Sequence, residues 1–242
     1  MPITFAHPSA VLPLFRYSHY LSVSALIIGS MIPDFEHYLQ LQQSVKLAHT
    51  FIGIFLFNLP VGILVYYINK LFFKPVLRRV TPIRFKRRQI RTNYSFFQIL
   101  VSITIGIATH FFLDAITGEE GFFVKDLPYL MDEVYITPSF KMNIHNIIWV
   151  SVSLFGTAQC VWLAITAFDF KNSLKKVKLS EWFPSFWLEL FCILIIIIFI
   201  RNLILPPPLI LWDWGIAIGG AFFYALTFTC FRWRYFLKMI RR

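Results

Sequence analysis

Cysteine is scarce in this chain, and polar helix faces are nearly missing. The three cysteines, Cys160, Cys192 and Cys230, each sit in an apolar run, and none belongs to a C-x-x-C pair. A disulfide framework and a thiolate metal site are thereby excluded, and the three read as small buried hydrophobes. Charged residues make up 14% of the chain and hydrophobic ones 57%, with 28 phenylalanines. A soluble domain needs a polar face on its helices, so that class is excluded too. There is no internal repeat and no low-complexity segment. The opening MPITFAHPSA lacks a basic start and a small-residue cleavage site, so a removable signal peptide is not expected.

What is present is a series of apolar runs of about 20 residues, the length that crosses a bilayer as a helix. The pattern predicts an all-α integral membrane protein, a single polytopic domain over 1–242. Candidate spans are 47–73, 94–117, 143–168, 184–205 and 209–231. Pro60 should kink the first, and Pro206–Pro208 should turn the fourth into the fifth. Segment 21–32 is too short to span, and lengthening it would bury Arg16 and His19 in lipid. Residues 1–46 are therefore expected to form short re-entrant or interfacial helices on the outer side.

The charge of +11 is unevenly spread. Basic residues crowd 74–91, 171–178 and the tail, while 118–142 carries Glu119, Glu120, Asp126, Asp132 and Glu133. Short cytoplasmic loops are rich in Lys and Arg. That rule puts 74–91, 171–181 and the C-terminus inside. It leaves only Arg16, Lys46, Lys125, Lys141 and Arg201 of the 23 basic residues at the outer side. Tryptophans gather near both ends of the spans, as an aromatic belt does. The expected location is a bacterial inner membrane, multi-pass, with a cytoplasmic C-terminus. The run at 74–91 then lies on an anionic leaflet. No nucleic-acid motif accompanies it, so no nucleic-acid partner is expected. Glu189, near an inner end, should pair with a basic loop residue, because an unpaired charge there is costly.

Five polar residues with metal-ligand chemistry fall at one expected membrane face: His7, Asp34, His49, His110 and Asp114. Ionisable residues beside lipid are expensive and point to function. His110 and Asp114, in H-x-x-x-D spacing, share a helix face. Proline suits a first helical turn. His7 before Pro8 therefore reads as an N-cap, and Asp34 after Pro33 as a first-turn residue. His and Asp suit Zn first, with Mn or Fe as alternatives. His145 and Asp213 also fall near outer ends. Each residue has a plainer reading: a surface or interfacial histidine, a carboxylate at a helix dipole, a turn cap. Glu36 stands open as a supporting partner, a base or an exposed residue.

The blocks MPITFAHPSAVLPL, GSMIPDFEHYL, AHTFIGIFLFNLP and THFFLDAITGEEG resemble a bacterial family of uncharacterised membrane proteins, known only as a domain of unknown function. More distantly, the order His, G-x-x-x-P-D, H-T and H-x-x-x-D resembles the LexA-regulated inner-membrane metal-dependent hydrolases. Through them it is similar to the zinc-dependent phospholipase C and nuclease group. That resemblance implies His7, Asp34, His49, His110 and Asp114 as metal ligands. The chain departs from it in having fewer histidines, and in reading TGEEG after Asp114 where many relatives carry another histidine. One or two metals are implied, not three.

Three functions follow. The first is a membrane-embedded metal-dependent hydrolase acting on a phosphoester or ester at the outer membrane–water interface. Its substrate would be a lipid head group or a small extracytoplasmic ester, and whichever of Asp34 and Glu36 stays free would be the base. The second is a transporter or metal carrier, for which the span middles offer few polar steps: Asn58, Ser102, Thr104, Ser153 and Gln159. The third is a structural or assembly role, with the polar cluster as helix-packing glue.

Overall fold

The computed structural model describes residues 2–44, 47–81, 93–119, 121–167, 183–208 and 210–239. Residues 82–92 and 168–182, which carry nine of the 18 basic residues expected inside, lie outside the described residues. The described chain is helical apart from one β-hairpin, and five helices are long and apolar enough to cross a membrane. The protein is an all-α, multi-pass membrane protein.

The spans are α3 (Phe51–Val80), α4 (Phe96–Thr117), α6 (Ile144–Ala167), α7 (Phe183–Ile204) and α8 (Leu211–Met239). The first and last run further than expected. α3 carries on through Lys74–Val80, because LysPro opens a further helical turn where proline is tolerated. Before α3 come a 3-10 helix, Thr4–Tyr17, then α1 (Val23–Met31) and α2 (Phe35–Gln40). None of these three is long enough to cross a membrane as a single helix. Between α4 and α6 lie α5 (Phe122–Asp126) and the strands β1 (Glu133–Thr137) and β2 (Phe140–Asn143), paired antiparallel.

Two compact units divide the chain. The first takes Met1–Pro33, His49–Ile63 and Arg88–Thr166. Its centre is a parallel pairing of α1 and α4 at a constant offset of 80 residues. The Ser22 N–H donates to Ser102 Oγ at 2.9 Å. A Cβ on Gly106 would come within 2.5 Å of the Leu26 carbonyl oxygen, and one turn on, the Ser30 carbonyl meets His110. Small or polar residues every fourth position let two backbones approach this closely in lipid. α4 starts with a capping box, in which Ser95 Oγ and Gln98 Oε1 each accept the other's backbone N–H. The Ile3 N–H donates to Ser153 Oγ, tying the N-terminus to α6.

The Pro60 kink takes the form of a π-turn. Over Ile54–Asn58 the helix widens, and the Leu59 N–H reaches back five residues to the Ile54 carbonyl. Pro60 has no N–H for the ladder and its ring crowds the carbonyl four residues earlier, so the wider turn relieves both.

The second unit takes Asp34–Ala48, Leu64–Arg87 and Ala167–Arg242. Its core joins Val76 and Val80 of α3, Phe186 and Leu190 of α7, and Ala225, Cys230 and Trp233 of α8. Glu189 pairs there with Arg232 and accepts the Trp233 indole N–H at 2.8 Å. Its partner is thus a span residue, not the loop residue expected, because α8 outruns its predicted end. α2 closes against α8: Tyr38 packs on Gly219 and Gly220, and the Tyr224 hydroxyl donates to the Leu39 carbonyl at 2.8 Å. Leu41 ends α2 with φ 55°, a left-handed cap usually left to glycine. Buried Arg201 braces it, donating to the Leu41 carbonyl at 3.1 Å and to the Pro206 carbonyl at 2.7 Å.

Candidate metal centre

Four of the five predicted ligands meet inside the first unit. His110 and Asp114 stand one turn apart near the end of α4. His49 lies two residues before α3, in the turn that Thr50 caps by accepting the Gly53 N–H at 2.9 Å. It had been expected inside the span. His7 lies within the 3-10 helix Thr4–Tyr17, not at an N-cap as Pro8 suggested. The helix had already begun at Thr4, and Pro8 and Pro13, lacking N–H groups, leave it in the tighter form.

His7 and His110 are fully buried, while Asp114 and His49 keep 12% and 15% of their side-chain surface. The His7 and His110 rings stack at 3.9 Å and 17°. Phe111 stands edge-on to both His49 and His110. One ligand atom from each of His7, His110 and Asp114 lies within 4.8 Å of the others.

The orientation of His110 follows from its hydrogen bond. Its Nδ1 lies 2.9 Å from the Ser30 carbonyl oxygen, which can only accept. Nδ1 therefore carries a proton, and in the neutral ring Nε2 presents a lone pair to the cluster. That Nε2 is 3.1 Å from Asp114 Oδ2 and 3.3 Å from His49 Nε2. The third side, His49 Nε2 to Asp114 Oδ2, is 3.4 Å. His7 Nε2 is 3.9 Å from Asp114 Oδ1.

A neutral His49 with its proton on Nε2 would satisfy one side of this triangle; a metal ion would satisfy all three. Zinc binds nitrogen and oxygen at about 2.0–2.1 Å, which makes the edges of its tetrahedron about 3.3–3.4 Å. The donor set fits such an ion. A histidine that donates its other N–H to a backbone carbonyl is also how metal-bound imidazoles are usually held.

Asp34 ends a 3-10 turn, Ile32–Asp34, in the second unit, and is 4% exposed. It stands in the first turn of that 3-10 helix, as Pro33 suggested, and directly precedes α2. Glu36 is buried with both oxygens engaged. Oε2 accepts the Ala48 N–H at 2.8 Å and the Leu47 N–H at 3.1 Å, and Oε1 accepts the Gln40 amide at 3.3 Å. His37 Nδ1 accepts the Ser44 N–H at 3.0 Å. One turn of α2 thus holds the loop that ends immediately before His49. Among the described residues, the ligand groups close enough for one ion include neither His145 nor Asp213. The Ser30 carbonyl was not anticipated: a backbone oxygen carries no residue signature, and only the offset between α1 and α4 reveals it.

Fold and cluster together define a polytopic helical membrane protein with a buried histidine–carboxylate constellation able to hold a metal ion. By sequence the chain belongs to the DUF4184 family, a domain of unknown function, whose model matches residues 1–229. No curated protein and no solved structure matches it.

Proposed function

We propose that the protein is a membrane-embedded, metal-dependent hydrolase acting on a phosphoester or ester at the outer membrane–water interface. The observation that carries this reading is the 3.1–3.4 Å triangle of His49 Nε2, His110 Nε2 and Asp114 Oδ2 beside His7. His7, His49, His110 and Asp114 would hold the metal, Zn first and Mn or Fe as alternatives. Asp34 joins the set from the sequence pattern. The metal would supply a bound water of lowered pKa and polarise the substrate oxygen. The chain's own contribution is orientation: Ser30 sets the His110 tautomer, Phe111 walls the imidazoles, and Glu36 holds the backbone that leads into His49. The base in this proposal is Asp34 or Glu36.

The proposed setting is a bacterial inner membrane with the C-terminus cytoplasmic and the anionic leaflet at 74–91. A site at the outer interface meets lipid head groups or small extracytoplasmic esters first. Ser102 and Ser153, two of the few polar residues in the span middles, are engaged in backbone contacts. That leaves little for an ion path.

The deciding measurement is the metal content of detergent-purified protein by elemental mass spectrometry, beside the His110→Ala/Asp114→Ala variant. Near-stoichiometric metal in the parent, lost from a folded variant, is the expected result, and phosphoester and ester substrates would then be screened. Absence of metal from both, after reconstitution with Zn and Mn, would leave the cluster as packing glue.

A further inference from the structure

The hairpin between α4 and α6 was not expected, and its two faces differ. Register pairs Val134 with Met142 and Tyr135 with Lys141. Side chains alternate along a strand, so Val134, Met142 and Phe140 share one face with Thr137, the partner of Phe140, while Ile136 is unpaired at a bulge between Tyr135 and Thr137. The opposite face carries Glu133, Tyr135 and Lys141. Lys141 pairs with Glu133 at 3.4 Å and lies 4.7 Å from the centre of the Tyr135 ring. The polar face is thus organised by its own contacts. The apolar face is open, with Val134 and Phe140 exposed by 41% and 50%.

A two-stranded hairpin is marginal in water and needs cover on its apolar face. The position of this one says what the cover is. β2 ends at Asn143 and α6 begins at Ile144 with no intervening residue. α6 presents Leu154, Phe155, Val161 and Trp162 outward, the side chains of a lipid-facing span. The hairpin therefore starts where a span leaves the hydrocarbon. The polar head-group layer there is only about 5–8 Å thick. A four-residue strand is about 13 Å long, so lying flat keeps the whole apolar face in reach of lipid, and standing upright does not.

We propose that the 133–143 hairpin is a membrane-interface anchor, lying on the bilayer with Val134, Phe140 and Met142 toward the acyl chains and Glu133, Tyr135 and Lys141 toward water. The occupant of the apolar face is lipid. This does not depend on the metal reading. It would hold the segment that follows Asp114 and α5 at the membrane surface.

Spin labels test it in the full chain, in nanodiscs of phosphatidylethanolamine and phosphatidylglycerol. Single cysteines replace Val134, Phe140, Glu133 and Tyr135 in a Cys160→Ala/Cys192→Ala/Cys230→Ala background. The expected ratio of oxygen to nickel-chelate accessibility is several-fold higher at 134 and 140 than at 133 and 135. Equal, high chelate access at all four would put the hairpin in water and overturn the proposal. So would shielding of 134 and 140 from both reagents, the signature of a second protein surface. If the cysteine-free chain does not fold, Phe140→Trp in the native chain serves instead. Brominated lipid should quench the added emission, and an unquenched signal overturns the proposal.

Discussion

His110 performs two tasks with two atoms. Nδ1 binds the Ser30 carbonyl and Nε2 faces Asp114 and His49. Asparagine reproduces the first and lacks the second. His110→Asn should therefore insert and melt nearly as the parent does without metal, yet lose its bound ion. His110→Ala should also destabilise the fold by about 1–3 kcal/mol, the usual cost of stranding a buried carbonyl. If His110→Asn kept its metal, the assignment of Nε2 as a ligand would be wrong. Glu36 offers a second residue-scale test. Its carboxylate accepts the N–H groups of Leu47 and Ala48, the two residues before His49. Glu36→Ala releases that backbone, and supporting partners of ligands typically matter about 10–100-fold in metal affinity. A fall of that size by competitive chelation is expected, with partial recovery in Glu36→Gln; unchanged affinity would reduce Glu36 to a loop brace.

Among the elements, the α1–α4 pair sets the site. Ser22, Leu26 and Ser30 meet Ser102, Gly106 and His110 in one parallel register. A side chain at Gly106 would strike the backbone of Leu26, Gly29 and Ser30, and backbone does not give way cheaply. Gly106→Leu should separate the helices, moving the Ser30 carbonyl away from His110. Low yield of folded protein in detergent and a clearly lowered melting temperature are expected; parent-like melting would show that the pairing is looser. The π-turn ahead of Pro60 carries a related lesson. Proline announces that a helix cannot run regularly. Whether it bends or widens depends on how the chain satisfies the N–H groups around it, and here Leu59 bonds Ile54.

Across the whole molecule, the orientation in the membrane rests on the uneven spread of Lys and Arg. Outside-only labelling should modify Asp126→Cys and spare Lys86→Cys in intact cells. The reverse pattern would move the cluster to the cytoplasmic side and with it the expected substrates. The ends of α4 and α3 that carry the cluster lie together in the first unit, since His49 contacts both His110 and Asp114. Both are the ends away from the 74–91 loop, so their meeting follows from two consecutive spans whichever side that loop faces.

The apolar runs alone were enough for the helical membrane class and all five spans, since lipid admits only chain segments that satisfy their own backbone. The H-x-x-x-D pair was legible for a similar reason: helix geometry is local, so i and i+4 must share a face. Bringing His7, His49 and His110 together was not local. It depends on the offset of 80 between α1 and α4 and on where α3 begins, and side-chain identity alone encodes neither. The same holds for Glu36, whose engagement with Leu47 and Ala48 depends on the loop between them, and for the hairpin, whose two faces exist only once β1 and β2 pair in their register.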